Sequence, residues 1–309
     1  MASATHLTWM VGRFAGTRLL VVIGKGGVGK STIAAALGQV LAAAGPRVLL
    51  LEIDPRETFH QLFDVPPSGG AVVEVSPGLA FRNLNPRDEI DALVAEHLRL
   101  GPLVRRVLAS PVYEHFVDGA PGLKELAVLG HALRMVGGTS SRRGPHFDLV
   151  VLDAPATGHG LSLLTAPSLA SRVIHQGPFG RMAEQLAAFV ADPVRTAAVV
   201  VTQAEEMPVQ EALELAAQLR ERLHREPELV VVNGLYPQYP ADQVSGDRAA
   251  MALWRRRRAA NEAELGRLAE GCRSPRVDLP LLALDRGPRL VAELARRLAA
   301  LTRPALGGA

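Results

Sequence analysis

Short apolar, β-branched runs alternate along the chain with longer stretches whose apolar positions recur at helical spacing. That alternation predicts an α/β fold, a mostly parallel twisted sheet covered by helices on both faces. Leu19 to Ile23, Arg47 to Ile53, Phe147 to Asp153, Ala197 to Thr202, Glu228 to Asn233 and Arg276 to Leu279 read as its strands. Two stretches depart from the alternation. Residues 85–138, broken at Gly101-Pro102, Ser110-Pro111 and Ala120-Pro121-Gly122, read as a helical insertion of three or four helices. Residues 161–192, broken by Pro167 and by Gly177-Pro178, read as a shorter helical segment. With no internal repeat or low-complexity linker, residues 1–309 are expected to form one domain.

The first strand runs straight into Gly24-Lys25-Gly26-Gly27-Val28-Gly29-Lys30-Ser31-Thr32, and a helical pattern begins at Ile33. A strand, a glycine-rich turn and a helix in that order form the context of a phosphate-binding loop, and the fold is then that of a P-loop nucleoside triphosphatase. Backbone N–H groups of Gly26, Gly27, Val28, Gly29, Lys30, Ser31 and Thr32 are expected to face the phosphates of ATP. Lys30 would reach the β and γ oxygens, and the Ser31 hydroxyl would meet a magnesium ion. The next helix adds the positive end of its dipole.

Other strand ends bring more chemistry to the same side. Asp153 closes an apolar run and stands where a Walker B aspartate holds magnesium, directly or through a water. Asp54, in Leu51-Glu52-Ile53-Asp54-Pro55, is placed to orient the attacking water or take its proton. An Asp before Pro is by itself a common turn starter, and the company of the loop and Asp153 is what makes Asp54 a catalytic candidate.

Composition narrows the setting. Of 34 basic residues only Lys25, Lys30 and Lys124 are lysines, so an arginine-rich chain keeps two of three lysines in one loop, where a guanidinium fork is too wide. The single cysteine, Cys272, excludes a disulfide or a cysteine-based metal cluster within the chain and points to a reducing compartment. Without a basic segment leading into an apolar one near Met1, no signal peptide is expected and the reading is cytoplasmic. No uninterrupted apolar run is long enough for a bilayer, so no stable membrane insertion is expected. The formal charge of +3 comes from arginines scattered over many helices, so nucleic-acid binding is not implied.

The loop with its extra Lys25 resembles the deviant Walker A loop of the ATPases that include septum-site and partition proteins, nitrogenase iron protein, the arsenite-pump ATPase and the tail-anchored-protein targeting ATPase. The resemblance narrows at Asp153-Ala154-Pro155-Ala156-Thr157-Gly158-His159, which is similar to the switch II segment of the last two. Asp54-Pro55-Arg56-Glu57 is similar to their switch I, with Glu57 where they carry histidine. This likeness implies a dimer, homomeric or paired with a paralogue. Lys25 would cross to the partner's phosphates, and two switches, Asp54-Pro55 and Asp153 with Thr157, Gly158 and His159, would respond to γ-phosphate. For His159, simple packing is the competing reading. Val231-Val232-Asn233 resembles the strand whose asparagine contacts adenine. Leu279-Pro280-Leu281-Leu282 with Arg286-Gly287 resembles the base-binding loop. As ordinary structure, Asn233-Gly234 is a turn.

The chain also departs from these relatives. It lacks the thiols that bind arsenic(III) and the Cys-x-x-Cys pair that holds zinc between targeting subunits, so no zinc is expected. Residues 161–192 hold only Met182 where the targeting ATPases place a methionine-rich groove, which reduces any groove for a membrane helix. The expected function is an ATP-hydrolysing dimeric switch that couples hydrolysis to opening and closing of a helical client-binding region for an unidentified client, with ordinary core packing of the insertion's helices as the competing reading. A nucleotide-controlled scaffold subunit and a partition- or septum-site-like positioning ATPase are the alternatives. Arg255 to Arg258 point all round a predicted helix, Asp242 to Glu270, and read as mostly solvated. Leu290, Leu294, Leu298 and Leu301 form a stripe expected to pack on the sheet. The segment Leu7 to Val11 has no clear period.

Overall fold

A computed structural model describes residues 8–53, 56–98, 101–137, 147–155, 159–173, 176–238, 248–301 and 305–306. Its centre is a nine-stranded sheet. In chain order the strands are β1 (Leu19–Ile23), β2 (Val48–Glu52), β3 (Val73–Ser76), β4 (Leu79–Asn83) and β5 (Leu149–Asp153). They continue as β6 (Thr196–Thr202), β7 (Leu229–Leu235), β8 (Pro275–Pro280) and β9 (Ala305–Leu306). The spatial order is β3-β4-β2-β5-β1-β6-β7-β8-β9. Every pair from β4 to β8 is parallel, whereas β3 and β9 close the two edges antiparallel. The α/β P-loop architecture expected from the alternation is therefore present, with a β3–β4 hairpin added that the periodicity did not single out.

Strand periodicity of two explains how the sheet carries two cores. Leu19, Val21 and Ile23 of β1 enter one cluster and Leu20 and Val22 the other, and β2, β5 and β6 divide in the same way. The first cluster is covered by α7 (Leu123–Met135), α8 (His159–Val173), α9 (Gly177–Ala191) and α10 (Glu206–Leu223). The second is covered by α1 (Thr8–Arg13), α2 (Lys30–Ala43), α3 (Phe59–Phe63) and α12 (Pro288–Ala299). Met10 and Phe14 bury at or beside α1 and Trp9 packs against the same core, while Leu7 lies outside the described residues. In α12, Leu294 and Leu298 are buried against the same core, with Leu290 and Leu301 partly buried beside them.

Within 85–138 lie α4 (Pro86–Leu98), α5 (Gly101–Leu108), α6 (Pro111–Gly119) and α7. Gly101-Pro102 and Pro111 open helices, and Gly122 with φ 80° caps α7, so the sequence breaks mark starts as much as stops. A third, smaller core of Ile90, Leu93, Tyr113, Val117, Leu123 and Ala127 holds these helices together. Glu89 is a buried polar anchor among them. It takes hydrogen bonds from Arg82 of β4, from Arg134 and from His131 of α7.

One expectation needs correction. Pro167 does not break the 161–192 segment but sits inside α8. Proline in a helix interior costs about 3 kcal/mol in isolation. Here α8 is held by packing against α9 and by buried Leu161, Leu163 and Leu164, which outweighs one missing N–H. The last helix before β8, α11 (Arg248–Gly271), carries Arg255 to Arg258. Arg255, Arg256 and Arg257 are exposed, and Arg258 donates to Tyr236 O at 2.8 Å and to Glu262 at 2.8 Å. Residues 242–247 of the expected helix lie outside the described residues.

Candidate active site

The phosphate-loop residues connect β1 to α2, and their path depends on glycine. Gly24 has φ 150°, and a Cβ there would lie 2.1 Å from the Val201 carbonyl oxygen of the neighbouring β6. Gly29 caps α2 at φ 93°, a conformation that L side chains rarely adopt, and a Cβ there would strike the Asn233 amide at 2.4 Å. These glycines let the loop lie close to β6 and β7 and aim the α2 N-terminus into a cleft of ≈ 340 Å³ at the carboxyl ends of the strands.

Gly27, Gly29, Lys30, Ser31 and Thr32 line that cleft from the loop side. Glu52 and Ile53 line it from β2, Asp153 to Pro155 from β5, and Arg286 from the loop before α12. Lys30 is buried, and its Nζ donates to the Lys25 carbonyl at 3.1 Å, folding the loop around its own ammonium. Asp153 is buried at the strand end beside Glu52, its partner in the β2–β5 register. Among the expected residues, then, the structure gathers the loop and Asp153 around one cavity.

The remaining candidates sit in varied places. Val28 is buried under the loop, and its carbonyl accepts from Asn233 Nδ2 at 2.9 Å, so this asparagine ties β7 to the phosphate loop. Gly26 is exposed. Pro280 ends β8, outside the cleft lining. His159 is the first residue of α8. Asp54, Pro55, Thr157 and Gly158 lie outside the described residues. Lys25 does not turn among the cleft-lining side chains. Its Nζ lies 3.0 Å from Glu211 Oε1 on α10.

Two carboxylates at or near the site escaped the sequence reading. Glu52 is 1% exposed; its Oε2 accepts the Thr58 N–H at 2.8 Å, while its buried Oε1 has no hydrogen-bond partner among the described residues. Its carboxyl is pushed up to about 7, the net of burial, which raises it most, the Thr58 and Phe59 N–H groups, which pull it down, and the Asp153 and Glu57 carboxylates, which add to the rise. An acidic residue ending an apolar strand was the available signal. Glu211 offered none, because its partner is distant in sequence. Glu57, which replaces the relatives' histidine, takes the N–H groups of Ser68 at 2.6 Å and Gly69 at 3.0 Å and so anchors the next turn.

The donor set suits a hard divalent cation. A serine hydroxyl and two buried carboxylates border a cleft with room for phosphate oxygens and water, the all-oxygen environment that Mg²⁺ takes.

Comparison with known proteins accords with this geometry. Residues 17–186 match the family model described as anion-transporting ATPase. The ATPase BagA of Mycobacterium tuberculosis is 32% identical over 304 residues, covering 95% of this chain and 87% of BagA. The chain belongs to the anion-transporting ATPase family. As a member it is an ATPase. The arsenical pump-driving ATPase of Acidiphilium multivorum is 29% identical over 259 residues, 78% of this chain and 43% of that protein. The ATPase asna-1 of Caenorhabditis elegans is 29% identical over 189 residues, 54% of this chain and 51% of that protein.

Proposed function

We propose that this anion-transporting-ATPase family member works as a dimeric switch in which two chains enclose two molecules of Mg·ATP. The observation that carries the reading is the contrast between its two loop lysines. Lys30 is folded into its own loop beside the cleft, whereas the Lys25 ammonium is held on α10, where an approaching chain's phosphates can capture it. In this scheme Lys30, the α2 N-terminus and the loop N–H groups bind the phosphates, and Ser31 and Asp153 hold the magnesium ion. That ion supplies charge compensation to the departing phosphoryl group. Asp54 orients the attacking water, and Lys25 of the facing chain neutralises charge at the γ-phosphate. In the same scheme Asn233 and Pro280 would contact the base.

Loss of γ-phosphate then releases the segments after Asp54 and Asp153. The helices α4 to α7 follow, because Arg82 of β4 and the buried Glu89 connect them to the sheet. Their cargo in this scheme is a protein client. Among the described residues no helix is long and apolar enough to cross a membrane.

Light scattering with Mg·ATPγS and with ADP, together with hydrolysis by wild type and Asp54→Asn, tests the proposal. Dimer mass with the analogue, monomer mass with ADP, and lost turnover with retained dimerisation in D54N are expected. One mass in both nucleotides would contradict it.

A further inference from the structure

Glu52 links the cleft to α3. It ends β2, and its Oε2 receives the N–H of Thr58 at 2.8 Å, the residue that caps α3. Beyond that point Glu57 grips the turn at Ser68 and Gly69. The start of α3 is thus tied to a buried carboxylate on a residue that lines the cleft with Lys30, Ser31 and Asp153.

The second oxygen of that carboxylate, Oε1, is buried and lacks a donor among the described residues. Buried acceptors are nearly always satisfied, so a donor is to be sought among what enters the cleft. A phosphate oxygen carries no proton to donate. Water polarised by a divalent cation is a strong donor, and Mg²⁺ keeps several of its waters when it binds phosphates.

We propose that Glu52 is a positioning residue that couples the metal to the start of α3. Oε1 accepts a hydrogen bond from a water of the hydrated Mg²⁺, and Oε2 keeps the Thr58 N–H. Arrival of Mg²⁺·nucleotide then steadies Thr58 and the start of α3 without a direct contact to them. Loss of the metal loosens the same carboxylate from both tasks. This inference rests on the cleft being the Mg²⁺·nucleotide site.

The test uses the full chain with Mn²⁺ and ADP as probes, followed by electron paramagnetic resonance, and with amide hydrogen exchange over residues 56–63. In Glu52→Gln, Mn²⁺ affinity in the presence of ADP should fall on the order of tenfold, as for other groups that orient a metal's ligands. ADP affinity in EDTA should change less than about twofold, and the metal-induced slowing of exchange across 56–63 should disappear. If E52Q does not fold, Glu52→Asp takes its place: the shortened carboxylate should lose metal affinity while metal-free ADP binding is kept. Unchanged Mn²⁺ affinity, or an equal loss of metal-free ADP binding, overturns the coupling while leaving the cleft assignment standing. Failure of the wild type to bind Mn²⁺·ADP removes both.

Discussion

Lys25 Nζ and Glu211 Oε1 stand 3.0 Å apart within one chain, so the lysine assigned to a neighbour's phosphates has a partner at home. Both side chains are partly open to solvent, at 30% and 38%. An ion pair of that exposure contributes about 0.5 kcal/mol, far less than a lysine gains from a triphosphate in a closed interface. In the proposed dimer such a pair would hold the ammonium without trapping it. Glu211→Gln should therefore strengthen ATP-dependent dimerisation by roughly twofold, measured as the protein concentration at half-maximal turnover. Loss of assembly in E211Q would instead place Glu211 in the interface itself.

The glycines of the loop should respond unequally. Gly24→Ala drives a Cβ against the Val201 carbonyl of β6 at 2.1 Å, whereas Gly27, at φ 88°, has nothing within 4 Å of the added atom. Gly27→Ala then carries only the cost of its backbone conformation, about 1 kcal/mol, while Gly24→Ala should cost more than about 3 kcal/mol or prevent folding. Urea unfolding of the two variants checks the ranking.

The buried anchor of the helical insertion should make the protein acid-sensitive. His131 Nδ1 lies 2.9 Å from Glu89 Oε2, and its Nε2 lies 3.2 Å from Arg82 Nη1, which can only donate. The ring is therefore neutral with its proton on Nδ1, in keeping with burial, which pushes its pKa down. Burial pushes the Glu89 carboxyl up, but His131, Arg134 and Arg82 together hold it below the usual value.

Both folded-state values thus lie below their unfolded ones, and both contributions are complete above pH 6.5. The His131 share is lost as pH falls below 6.5, and the Glu89 share follows below 4.5. Thermal melting should shift downward from pH 7.5 to 5.5, near the ordinary histidine range. His131→Gln should flatten that slope. Glu89→Gln at pH 7.5 should cost about 2–3 kcal/mol, because two guanidinium groups lose their shared carboxylate. A slope unchanged by H131Q would place the acid sensitivity elsewhere.

Much of this arrangement is legible in the sequence, for physical reasons. The loop is readable because its chemistry is local, with strand, glycines, lysine and serine contiguous. The central strands are readable because parallel strands buried on both faces are continuously apolar. Val73 to Ser76 was invisible for the opposite reason. It is a half-exposed edge strand of four residues, and only the Pro77-Gly78 turn marked the hairpin. Pro167 misled because helix packing overrides a local breaker. Glu52 was overshadowed by Asp54, two residues on, and the burial that sets its state belongs to the folded sheet. The pairing of Lys25 with Glu211 needs the β6–α10 connection to bring α10 beside the loop, which no local pattern encodes.

The central claim, that Lys25 acts on the facing chain's nucleotide, is tested most directly by mixing two inactive variants, Lys25→Ala and Asp54→Asn. In a mixed dimer the site on the K25A chain keeps its own Asp54 and receives Lys25 from the D54N chain, so one site of two is complete. With random pairing, turnover should recover to about a quarter of wild type. If Lys25 serves its own chain, no site in any dimer is whole, and the mixture will stay as inactive as its parts.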